Sequence, residues 1–88
     1  MKFDWDPAKN ASNEAKHDLS LAAVTALWAG PVLTLPSHQP GELRHLAIGL
    51  IAGRHWTVIY TLRADTLRLI SARRSHPHEK ILFQKLTR

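Results

Sequence analysis

The densest chemistry in this 88-residue chain lies in one run, Arg68-Leu69-Ile70-Ser71-Ala72-Arg73-Arg74-Ser75-His76-Pro77-His78-Glu79. Its three guanidinium groups are planar, always charged forks that hold phosphate oxygens in bidentate fashion. A helix opening at His76-Pro77 would point unpaired N–H groups toward the same anion. The run therefore predicts a phosphate site, with Arg68, Arg73 and Arg74 converging near the end of an edge strand. A regular strand would put Leu67, Leu69, Ser71 and Arg73 on one side and Arg68, Ile70 and Ala72 on the other. The structural alternative is an ion bridge between Arg73 and Glu79.

Proton transfer near neutral pH falls first to histidine. His17 follows Lys16 on a polar segment, His76 and His78 flank Pro77, and His38, His45 and His55 are scattered between them. His17, His78 and Glu79 are the candidates to move protons. His76 and His78 alone are a weak metal signal, so no metal and no cofactor is expected. The chain has no cysteine, which excludes disulfides and thiolate chemistry. It has seven acidic residues, four of them before residue 19. Hydrolysis by paired carboxylates or by a carboxylate-held metal cluster is therefore not expected.

The net charge of +5 is unevenly spread. Residues 63–88 carry seven basic side chains against two acidic ones, whereas residues 1–18 carry three against four. Such asymmetry suits a polyanion or an acidic protein partner. The N-terminus lacks an apolar run and Leu46–Ala52 is too short to span a bilayer, so a cytoplasmic protein without a membrane partner is expected.

The elements that must position these groups are legible in outline, as a single domain over residues 1–88. Phe3-Asp4-Trp5 reads as a short strand or an extended arm. Asp6 caps a helix with Pro7 at its first position, running to about His17. Ala8, Ala11 and Ala15 are its apolar face, and Lys9, Asn10, Asn13, Lys16 and His17 are exposed. A second helix, the main core helix, starts near Ser20, carries Leu21, Val24, Leu27 and Trp28, and ends at Ala29-Gly30-Pro31. Four strands follow: Val32 to Leu35 stopped by Pro36, then, after a loop over Ser37–Glu42, Leu43 to Ile51, His55 to Leu62 and Leu67 to Arg73. Turns at Ala52-Gly53-Arg54 and Arg63-Ala64-Asp65-Thr66 make them an antiparallel meander. A final helix runs through Ile81, Leu82, Phe83 and Leu86. The class is α+β: a short N-terminal strand, two helices on one face, a four-stranded antiparallel meander and a C-terminal helix. The three tryptophans suit a core, with Trp5 the best candidate for stacking on a base.

Phe3-Asp4-Trp5-Asp6-Pro7-Ala8-Lys9, with Asn13 and Lys16-His17, resembles the N-terminal signature of BrnT-type toxins, (F/W)-x-W-D-x-x-K-x-x-x-N-x-x-K-H-G. Arg68-Leu69-Ile70-Ser71-Ala72-Arg73-Arg74 with downstream Glu79 is similar to that family's R-x-I-S-A-R-x run. Asp18 stands where glycine is usual, Leu21-Ala22 where Phe-Glu is common, and Leu62 where a sheet glutamate is frequent. The resemblance implies a RelE-like fold and a metal-independent ribonuclease toxin that slows translation. It also implies a BrnA-like ribbon-helix-helix antitoxin that forms a hetero-oligomer with the toxin and through which alone promoter DNA is bound. Carried onto this chain, it points to Lys16, His17, Arg68, Arg73 and Glu79, supported by Lys9, Arg63 and Arg74. With His78, the catalytic set is then Arg68, Arg73, Glu79 and His17, and the RNA-binding set Lys9, Lys16, Arg63, Arg74 and His78. The alternative is a catalytically weak or inactive toxin-like module that serves as antitoxin partner and corepressor.

Overall fold

A computed structural model describes residues 1–39 and 42–87. Strands β1 (Lys2–Trp5), β2 (Val32–Gln39), β3 (Glu42–Ile51), β4 (Arg54–Arg63) and β5 (Thr66–Arg74) form one sheet in the order β1-β5-β4-β3-β2. Helix α1 (Pro7–His17) and the single turn α2 (Leu21–Val24) precede β2, and α3 (Pro77–Leu86) closes the chain. The α+β class and the β2–β5 meander are as expected, but the sheet is five-stranded and mixed. β1 is a full strand, parallel to β5 with Asp4 beside Arg68 and Trp5 beside Leu69. Its pairing removes β5 from the edge where the sequence had put it.

Local chemistry accounts for most boundaries. The Asp6 carboxylate accepts from the Ala8 N–H at 2.8 Å and the Ser20 hydroxyl from the Ala23 N–H at 3.1 Å, so both helix starts are capped. Ala52 (φ 51°) and Gly53 (φ 77°) form the two-residue turn between the paired Ile51 and Arg54. Two successive left-handed residues match the twist of a hairpin, and glycine takes the second without steric cost. Pro36 does not end β2 but lies within it. β2 is an edge strand, where a missing N–H costs no ladder bond. The expected loop over Ser37–Glu42 therefore shrinks, and its Pro40 and Gly41 lie outside the described residues.

The second helix departs from expectation in period. After Val24 the chain tightens into a 3-10 helix over Thr25–Ala29. Leu21, Val24 and Leu27 recur every three residues, and a three-residue turn stacks such side chains on one side. All three are fully buried against Ala47, Trp56, Val58, Tyr60, Leu67, Leu69 and Ala72. Trp28 packs between Phe3 and Tyr60, with ring centroids 5.3 and 5.8 Å away. This is the core face of the sheet. α3 packs on the opposite face, against β3 and β2.

α1 is held differently. Its alanines at 8, 11 and 15 are exposed, and Asn13, expected at the surface, is 5% exposed. The Asn13 amide donates to the Leu19 carbonyl at 2.7 Å and accepts from the Ala72 N–H at 3.0 Å, while Asn10 accepts from the Ala22 N–H. Ala72 lies beyond the end of β1's pairing, so α1 takes over a β5 donor that no strand satisfies. Replacing Asn13 with alanine would leave a buried N–H and a carbonyl unpaired, each costing about 1–3 kcal/mol. We expect Asn13→Ala to lose about 2 kcal/mol in urea unfolding; an unchanged midpoint would refute the anchoring role. At the helix end, Asp18 adopts φ 61° and its N–H bonds the Glu14 carbonyl. That left-handed cap is the physical reason a glycine suits the position. No helix among the described residues is long and apolar enough to cross a membrane.

Candidate nucleic-acid groove

The register of β4 and β5 decides where the arginines go. Thr61 pairs with Arg68, Ile59 with Ser71 and Thr57 with Arg73, and a bulge at Ile70 interrupts the ladder between Ile59 and Tyr60. Directly paired residues share a face, so Arg68, Ser71 and Arg73 all lie on the face opposite the core. The extra residue shifts the alternation by one and overturns the expectation that Arg68 and Arg73 point apart. Arg74, paired with Trp56, goes to the core side, where its guanidinium lies 5.7 Å from the Trp56 ring centre.

Sharing a face does not make the expected single pocket. Arg68 and Arg73 stand opposite Thr61 and Thr57, four strand steps or about 13 Å apart. Each is matched to a carboxylate. Arg68 bonds Asp4 of β1, which holds the Asp4 carboxyl below its ordinary range. Arg73 donates to both Glu79 oxygens, at 2.7 and 2.9 Å. The convergence of Arg68, Arg73 and Arg74 on one phosphate is thus corrected: they occupy three separate environments.

Glu79 is a clamp. Its side chain is 5% exposed and also accepts from the Thr57 hydroxyl at 3.0 Å and the His76 N–H at 2.7 Å. The last of these is the return half of a capping box at the start of α3. Burial pushes its pKa up, but the bonds from Arg73, the His76 backbone and Thr57 outweigh burial and set it at about 2. So acidic a group is a poor general base at neutral pH, which argues against Glu79 as a proton carrier. The ion-bridge alternative for Arg73 is the arrangement observed. Donor atoms of His76, His78 and Glu79 lie within 4.8 Å of one another, so the structure supplies the third donor the sequence reading lacked. A cation there would compete with Arg73 for Glu79.

The open half of the same face, beyond α3, holds two adjoining pockets. One is bounded by Lys9 and Asp6 at the start of α1, by Arg44 of β3, and by Arg63 and Arg68 on the two strands of the β4–β5 hairpin near its turn. The other is bounded by Lys9, Ser12, Lys16 and His17 along α1, with Ser71 beneath. Lys9 and the bulged Ile70 belong to both. Of the predicted residues, Arg63 and Arg68 border the first pocket, Lys16 and His17 the second, and Lys9 both; Arg73, Arg74, Glu79 and His78 border neither. Arg44 was missed because no other lysine or arginine lies near it in the sequence. Leu62 alternates with Thr61 and Arg63, so a carboxylate at that position would face away from the groove.

Comparison with known proteins fits this picture. No curated protein sequence matches the chain. The family model described as "Ribonuclease toxin, BrnT, of type II toxin-antitoxin system" matches residues 5–79, from the last residue of β1 to the Glu79 clamp. The match takes in α1, the whole meander and the start of α3, and on that ground this chain belongs to the BrnT family of ribonuclease toxins of type II toxin–antitoxin systems.

Proposed function

We propose that the chain cleaves RNA in the groove between α1 and the β4–β5 hairpin. The observation that carries this reading is the meeting of Lys9, Lys16, Arg63, Arg68 and His17, from α1 and both hairpin strands, around two pockets that share Lys9. The groups that meet are phosphate-binding cations and one imidazole, the parts a transesterification needs. The 2′-hydroxyl of one nucleotide attacks the adjacent phosphorus; the bond from phosphorus to the 5′-oxygen breaks. A 2′,3′-cyclic phosphate and a 5′-hydroxyl end result. Arg68 stabilises the added charge on the phosphoryl oxygens. His17 takes the hydroxyl proton, and a solvent water protonates the leaving 5′-oxygen. Lys9, Lys16 and Arg63 hold the flanking backbone, while Arg73 and Glu79 keep α3 and the sheet in place.

The chemistry needs no metal. A type II family implies a cognate antitoxin, here read as a ribbon-helix-helix protein whose acidic segment covers the groove. The test is incubation of the purified chain with labelled RNA in excess EDTA. Cleavage to cyclic-phosphate ends, suppressed by the antitoxin, is the expected result. Intact RNA together with harmless expression in a bacterial host would favour the inactive corepressor instead.

A further inference from the structure

We infer that the groove holds the sugar-phosphate backbone of single-stranded RNA and leaves the bases unread, so the chain by itself cleaves with little base preference. The inference rests on the ribonuclease reading above and adds its specificity. Proteins that read single-stranded RNA splay the bases, stack them on aromatic rings and bond their edges. Each stacked base contributes about 1–3 kcal/mol. No phenylalanine, tyrosine or tryptophan lines either pocket. The rings are engaged elsewhere: Trp28 lies between Phe3 and Tyr60, Trp56 is buried beneath Arg74, and Phe83 packs edge-on against His55. Trp5, the ring that sequence had favoured for stacking, packs against the core.

The polar groups best suited to base edges are also committed. Both ends of the Asn13 amide are bonded within the fold, the Thr61 hydroxyl donates to the Leu43 carbonyl, and Asp6 caps α1. Among the described residues, two serine hydroxyls and His17 remain beside the cations. A site of this composition binds charge, and charge along RNA is the same for every sequence.

Short U, C and A homopolymers provide the test, with binding and cleavage measured across a range of salt. Affinities should agree within about threefold, and log K should fall linearly with log salt at a slope of about −0.7 per phosphate held. Lys9→Gln should lower that slope by about 0.7 on every homopolymer alike. Cleavage with a preference of about tenfold or more for one base would overturn the inference and leave the ribonuclease reading standing. Absence of binding to every homopolymer at low salt would overturn both.

Discussion

Replacing Arg68 with alanine is expected to cut RNA cleavage by about 10²–10³-fold while leaving the fold intact. The size follows from removing one preorganised donor aimed at charge that develops only in the transition state. Arg68 is held by backbone register opposite Thr61 and by Asp4 on the neighbouring strand, so its guanidinium is already ordered before substrate arrives. That ordering removes part of the entropy cost of binding. The Asp4 partner is half-exposed, and such ion pairs contribute little to stability, so the urea midpoint should barely move. Arg74→Ala is the control: its side chain lies over Trp56 on the other face, and cleavage should persist. Single-turnover kinetics on both variants decide the matter. Undiminished cleavage by folded Arg68→Ala would remove it from the site.

What the residues disclose in advance is mainly local. Asp6-Pro7 and Ser20 mark helix starts, Ala52-Gly53 marks a hairpin, and the alternation of Trp56, Val58 and Tyr60 with Thr57, Ile59 and Thr61 separates the two faces of β4. Long-range and conformational facts are hidden. The pairing of β1 with β5 joins residues more than sixty positions apart, and a four-residue strand has no pattern that names its neighbour. The bulge falls within Leu69-Ile70-Ser71, where no glycine announces it, yet it sets the face of every later side chain in β5. Asn13 reads as surface because it is polar; it is inward because a strand donor needed an acceptor.

The arginine run misled for a related reason. Residues close in sequence are dealt by a strand to alternate faces, and here one of them is then taken by α3. The charges that do meet come from α1, β3 and the β4–β5 hairpin. The BrnT-type signature makes sense in these terms. Its aspartate caps α1, its asparagine anchors α1, its Lys-His pair and first lysine face the groove, and its final arginine and glutamate fasten α3. The ribonuclease assignment accordingly rests on the family match and this groove, to which the Arg68–Arg74 run contributes Arg68 as its one cation.

The clamp makes the second large prediction, a loss of stability in acid. Glu79 titrates at about 2 in the folded chain against 4.5 ordinarily. A carboxyl whose pKa is depressed by folding contributes its full stability above the unfolded value and loses it as pH falls toward the folded one. The window is therefore from about 4.5 down to about 2, and the contribution is on the order of 3 kcal/mol. Urea unfolding followed from neutral pH to about pH 3 should show the decline, and Glu79→Gln should flatten it. An equal acid slope in the variant would overturn the clamp. At neutral pH, Arg73→Ala should cost about 3 kcal/mol, because it strands a buried carboxylate. The double variant Arg73→Met with Glu79→Gln separates structure from chemistry. It removes both charges, retains an oxygen for Thr57 and His76, and should recover most of the lost stability. Recovery of cleavage with it would show that Arg73 serves the fold; stability without cleavage would return Arg73 to the reaction.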